Sequence, residues 1–302
     1  MRESNSNSRT TQRVAAGGGK SYAFVLDFEL LSRPAPPCKQ WQKLPSIRWI
    51  ISRERVPALD PCPVIAYPPP MTSATPVLVF DLDGTLAETA GDLMGTLNVI
   101  LTREGLTPLP LANARSLLGA GARALIARGF AQAGQALTPE KLEELFRDFL
   151  AHYNAHIADN SWLFPGVEAA LARAAKAGWT LAVCTNKLER SSHLLLHALG
   201  IADRFQFVCG QDTFGVAKPD PTPLIETIAR VGGLPARAIM VGDSRTDIDT
   251  ARAAGVPVIA VDFGYTDVPI ADLHPDRIIS HFDQLWDAVA SIGDQRAKAM
   301  AL

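Results

Sequence analysis

The hydrophobic positions of this chain change texture partway along. From Pro76 onward, short continuous apolar runs alternate with stretches whose apolar residues recur every three or four positions. Pro76-Val77-Leu78-Val79-Phe80 is one such run, and predicts a strand buried on both faces of a parallel sheet. The next stretch, 89–104, carries Leu93, Leu97, Ile100 and Leu101 at helical spacing and stops at Gly105. Shorter helices are predicted at 112–118 and 123–133, on either side of Gly119-Ala120-Gly121. Thr138-Pro139-Glu140 is a helix start, with a capping hydroxyl and a proline in the first turn. Leu142, Leu145, Phe146, Phe149, Leu150 and Tyr153 then form one apolar stripe.

After Pro165-Gly166 the pattern turns to helix–strand alternation. Helices are predicted at 167–176 and 188–199, with strands at 179–184, 205–208, 238–241 and 258–261 and further helices between the later strands. The expected fold is therefore α/β, a doubly wound parallel sheet (Rossmann-like core) with an inserted all-helical unit. The core would comprise 71–88 and 161–302, and the helical insert 89–160. Trp162 and Phe164 are expected to pack where the two meet.

Residues 1–70 differ from the rest. They hold 10 Lys+Arg against 5 Asp+Glu, whereas 71–302 hold 19 against 26. Ten of the 22 prolines also fall there, and 2–20 is Ser/Arg/Gly-rich. This segment is expected to be a disordered or non-native extension, with the functional protein starting near Met71. Asp27 and Glu29 interrupt the one apolar stretch that could serve a signal peptide. The net charge of −2 argues against a nucleic-acid partner, and no apolar run approaches the roughly 18 residues of a membrane span. Four cysteines, at 38, 62, 184 and 209, are too few for a disulfide scaffold and form no CxxC pair. A soluble, cytoplasmic protein is expected; no oligomeric state is implied.

In doubly wound sheets, ligands bind beyond the carboxyl ends of the strands. Those ends carry chemistry here. The first strand runs into Asp81-Leu82-Asp83-Gly84-Thr85-Leu86, and the second into Cys184-Thr185-Asn186-Lys187. Ala217-Lys218-Pro219-Asp220-Pro221 follows, then Gly242-Asp243-Ser244-Arg245-Thr246-Asp247. Brought to one crevice, these carboxylates would repel unless a cation joined them. A hard, oxygen-liganded ion such as Mg2+ fits, with a phosphate as its companion. Lys218 could hold a phosphate oxygen. Taken singly, each motif has a plainer explanation: a turn, a helix cap or a solvated loop charge.

The ordered set DLDGTL, CTNK, KPDP and GDSRTD resembles the four motifs of the haloacid dehalogenase-like hydrolase superfamily, over about 77–270. VFDLDGTLAETAGDL, GAGARALI and FPGV make the chain most similar to phosphoglycolate phosphatases within it. The resemblance implies Asp81 as nucleophile and Asp83 as general acid and base. It implies Mg2+ held by Asp81, the Asp83 carbonyl and Asp243, with Asp247 in support. Thr185, the Asn186 backbone and Lys218 would bind the phosphoryl oxygens, and 89–160 would be a cap. Glu88 stands where the family more often has Asp. Gly119 and Gly121 would offer backbone N–H groups to a substrate carboxylate, with Arg123 as helper. The implied substrate is a small phosphate ester, foremost 2-phosphoglycolate. Another small-molecule phosphatase, a phosphosugar mutase or a pyrophosphatase would share every motif. More distant alternatives are a phospho-acceptor signalling domain and a non-enzymatic binding domain.

Overall fold

A computed structural model describes residues 75–266 and 268–300, so the extension expected over 1–70 lies outside the described residues. At its centre is a six-stranded, all-parallel sheet in the order β5-β4-β1-β6-β7-β8. The strands are β1 (Val77–Phe80), β4 (Thr180–Cys184), β5 (Phe207–Cys209), β6 (Ala238–Gly242), β7 (Val258–Val261) and β8 (Arg277–Ile279). The continuous apolar runs arise because both faces are covered. Leu78 and Phe80 of β1 point to one face, where α5 (Val167–Lys176), α6 (Glu189–Ala198) and α9 (Leu285–Met300) pack. Val77 and Val79 point to the other, against α7 (Thr222–Arg230) and α8 (Arg245–Ala253).

The helical insert follows β2 (Ala87–Glu88). It contains α1 (Ala90–Arg103), α2 (Ala114–Leu117), α3 (Ala122–Gln132) and α4 (Pro139–Ala155). Leu97, Ile100, Leu101, Leu125, Ile126, Phe130, Phe149 and Tyr153 form its own buried cluster, so the helices close on a second core. Thr138 caps α4 as expected, its hydroxyl accepting from Lys141 N at 3.3 Å. The chain re-enters the core through β3 (Trp162–Leu163), which pairs antiparallel with β2. Asp92 ties the two ends together: its carboxylate accepts from Asn160 N at 2.9 and 3.0 Å and from Ser161 Oγ at 2.5 Å.

The predicted elements recur with local differences. The helix expected at 112–118 is a 3-10 turn at Leu111–Asn113 followed by the short α2. The strand expected at 205–208 begins two residues later, because Phe205 turns edge-on to Phe80, 6.3 Å between ring centroids. Trp162 does not join Phe164 in the packing; it is 57% exposed, whereas Phe164 lies against Phe263. The two-residue strands β2 and β3 and the three-residue edge strand β8 are too short to show as apolar runs. No described helix is long and apolar enough to cross a membrane.

Candidate active site

The sheet delivers three neighbouring strand ends to one edge. Asp81 and Asp83 follow β1, Thr185 and Asn186 follow β4, and Asp243 follows β6. Gly84 makes the first turn possible. Its φ is +85°, and a Cβ there would stand 2.4 Å from Asp243 Oδ2. Thr85 Oγ1 donates to Asp243 Oδ1 at 2.8 Å, and Tyr265 N donates to Asp243 Oδ2 at 2.6 Å.

Lys218 is the cation at the centre of this cluster. Its Nζ stands 2.5 Å from Asp247 Oδ1 and 3.0 Å from Asp81 Oδ1, and donates to the Cys184 carbonyl at 2.8 Å. The loops are braced by a reciprocal pair: Asn186 Nδ2 donates to Lys218 O, and Lys218 N donates to Asn186 Oδ1, both at 3.0 Å. Asp247 Oδ2 accepts from Asp243 N, Ser244 N and Ser244 Oγ, closing a capping box at the start of α8.

Asp81, Asp243 and Asp247 each offer an oxygen within 4.8 Å of the others. Burial, offset by Lys218 and reinforced by Asp247 and Asp83, pushes the Asp81 carboxyl up to about 6. Burial and the carboxylates of Asp247 and Asp81 push Asp243 well above the usual range. Burial alone would lower the Lys218 ammonium, but Asp247 and Asp81 outweigh it and hold it above its ordinary value. Asp81 Oδ1 is buried and accepts no hydrogen bond, since Lys218 is not aligned to donate to it. An acid cluster with one orphaned oxygen and too little positive charge fits a divalent cation.

Between the strand ends and the helical insert lies a cavity of about 50 Å3. Asp81, Asp83, Thr185, Asn186 and Lys187 line the core side; Gly119, Gly121, Leu125, Phe149 and Tyr153 line the other. Gly121 caps the start of α3 at φ +84°, and a Cβ there would press on Asn186 O at 3.0 Å. Arg123 is not brought to the cavity lining. It forms a two-pronged pair with Glu143, at 2.6 and 2.9 Å, and lies over the Phe146 ring. The helper role expected of it is therefore not supported by its position.

Two residues outside the expected set enter the site. Lys187 Nζ donates to both oxygens of Asp83, at 2.8 and 2.9 Å. It also lies 4.5 Å from the centroid of the Tyr153 ring. The Tyr265 hydroxyl accepts from Thr89 N at 2.7 Å and Ala90 N at 2.9 Å and donates to Glu88, so a core loop seats the first turn of α1. Lys187 lay in view within CTNK, although its partner is 104 residues away; nothing local marks Tyr265.

Comparison with known proteins agrees with this geometry. A family model described as haloacid dehalogenase-like hydrolase matches residues 78–261. A phosphoglycolate phosphatase of Mesorhizobium japonicum is 50% identical over 210 residues, 70% of this chain and 92% of that protein. One from Caulobacter vibrioides is 47% identical over 205 residues, 68% of this chain and 86% of that protein. A crystal structure described as a predicted phosphoglycolate phosphatase from Haemophilus somnus superposes with a TM-score of 0.67 at 30% identity, covering 72% of this chain and 99% of the other. The chain belongs to the haloacid dehalogenase-like hydrolases.

Proposed function

We propose that the protein is a Mg2+-dependent phosphatase that converts 2-phosphoglycolate to glycolate and inorganic phosphate. The observation that carries this reading is the small cavity in which Asp81, Asp83 and Thr185 face the Gly119 and Gly121 backbone. The named relatives point to the same substrate.

In the proposed reaction an Asp81 carboxylate oxygen attacks phosphorus and the bond to the substrate alkoxide breaks. Asp83 gives its proton to that alkoxide, then takes one from the water that attacks the aspartyl-phosphate. The bond from phosphorus to Asp81 breaks, phosphate leaves and the carboxylate is restored. Thr185, the Asn186 backbone and Lys218 hold the phosphoryl oxygens. Asp81, the Asp83 carbonyl and Asp243 would hold Mg2+, which supplies charge neutralisation for the phosphoryl group. Asp247 acts in support, because its oxygens already bond Lys218, Asp243 N and Ser244. The insert 89–160 serves as the cap over the core of 71–88 and 161–302, and the N–H groups at Gly119 and Gly121 face the substrate carboxylate. We place the activity in cytoplasmic carbohydrate metabolism, with small phosphate esters as its partners.

The test is phosphate release by the full chain with and without Mg2+. The panel is 2-phosphoglycolate, sugar phosphates, pyrophosphate and phosphoserine, with Asp81→Asn as the blank. A Mg2+-dependent preference for 2-phosphoglycolate that vanishes in the blank is expected. A preference for another panel member would replace the substrate and keep the chemistry.

A further inference from the structure

A phosphate monoester that also carries a carboxylate brings close to three negative charges. It would enter a cavity already lined by Asp81 and Asp83. Cations are scarce there. Lys218, assigned to the phosphoryl oxygens, is outside the cavity lining and already pairs with Asp247 and Asp81, and Arg123 is bound to Glu143 away from the cavity. Among the described residues, the one cation lining the cavity is Lys187. It is deeply buried, its side chain 6% exposed, and is committed to Asp83 through both carboxylate oxygens. Thr89 Oγ1 adds a third hydrogen bond to Asp83, at 2.8 Å. In this arrangement Asp83 accepts three hydrogen bonds, two on Oδ1 and one on Oδ2, so a leaving group has to compete with Lys187 for it.

We propose that Lys187 is a specificity-determining cation that exchanges partners: the substrate carboxylate takes the ammonium from Asp83, and Asp83 is released to face the alkoxide. This rests on the phosphocarboxylate reading of the site. The exchange keeps the buried ammonium paired in both states, on Asp83 before substrate binds and on the substrate carboxylate afterwards. The Tyr153 ring, contributed by the cap, lies over the same ammonium, so Lys187 has an anchor while it changes partner. A substrate lacking the carboxylate leaves Lys187 on Asp83 and the acid withheld. Selectivity would then appear in kcat as well as KM.

The experiment compares 2-phosphoglycolate with 2-hydroxyethyl phosphate, its neutral counterpart, in wild type, Lys187→Met and Lys187→Arg, with folding checked by thermal melting. Wild type is expected to favour the carboxylated substrate in both kcat and KM. In Lys187→Met the ratio of the two kcat/KM values should fall by about 100-fold, the scale for losing one partner of a buried charge pair. Lys187→Arg should restore part of that ratio. Equal losses on both substrates in a folded Lys187→Met protein would overturn the exchange and leave the substrate reading standing. A wild type without preference for the carboxylate would overturn both. If Lys187→Met fails to fold, Lys187→Arg decides: a fall in the ratio of the carboxylated to the neutral kcat/KM supports the exchange, and an unchanged ratio refutes it.

Discussion

Replacing Lys218 with methionine isolates the charge at the centre of the site. Methionine keeps an unbranched apolar stem and removes only the ammonium. Lys218 is 2% exposed, Asp247 is fully buried and Asp81 nearly so. The change deletes the pair to Asp247 at 2.5 Å, the pair to Asp81 at 3.0 Å and the hydrogen bond to the Cys184 carbonyl. Breaking a buried pair from one side costs about 3–5 kcal/mol, because the remaining charge is left in low dielectric. Two charge-assisted hydrogen bonds at about 1.5–3 kcal/mol each give about 3–6 kcal/mol, which overlaps that range. For a folded unit of this size, about 2–4 °C of melting temperature corresponds to 1 kcal/mol, so the loss should be about 6–20 °C. The assay is thermal melting at pH 7 in chelator, repeated with Mg2+. Mg2+ should raise the variant's melting point more than that of wild type, because a cation then offsets carboxylates that have lost their lysine. A variant melting within about 2 °C of wild type in chelator would refute the reasoning, since it would mean these buried acids do not depend on Lys218.

Two further outcomes follow from the same geometry. Asp81→Asn should abolish phosphate release while raising the melting point of the metal-free protein at pH 7. Burial lifts the folded-state carboxyl to about 6, so wild type loses that group's stabilisation as pH rises from about 4 through 6. The gain from Asn, up to about 3 kcal/mol, should therefore be present above pH 7 and disappear near pH 4, as read by melting across that range. Tyr265→Phe should cost about 1–3 kcal/mol in denaturant unfolding, because Thr89 N loses its acceptor in a buried site; unchanged stability would count against the seating of α1 by this hydroxyl.

The legible parts of the molecule were those set by local pattern. The helix at Val167–Lys176 and the strand at Val258–Val261 match their predicted bounds, because a clear apolar stripe and a short buried run sit between glycines and prolines. The strand-end motifs could be assembled because a parallel sheet sends all its carboxyl ends to one edge. What escaped was long-range pairing. A single lysine beside Asn186 looks like a solvated charge until the sheet lays it against Asp83. Tyr265 looks like an ordinary loop aromatic until its hydroxyl meets Thr89 N and Ala90 N at the start of α1. Arg123 erred the other way: helix start and glycine loop suggested a ligand, yet Glu143 lies one helix away and claims it. The strand β8 was overlooked because three residues with Ile278 exposed at a sheet edge carry little signal.

The pairing of β2 with β3 has a consequence for how such a protein can change. Ala87 lies opposite Leu163 and Glu88 opposite Trp162, so the chain leaves and returns to the core through adjacent, hydrogen-bonded residues. Everything between is a detour with its own hydrophobic centre. A replacement would have to begin and end one strand spacing apart and offer a new seat to Tyr265, whose hydroxyl now meets Thr89 N and Ala90 N. The insert supplies Gly119, Gly121 and Tyr153 to the cavity lining, so a sequence change confined between these two points would reshape that wall of the cavity and leave Asp81 where it is.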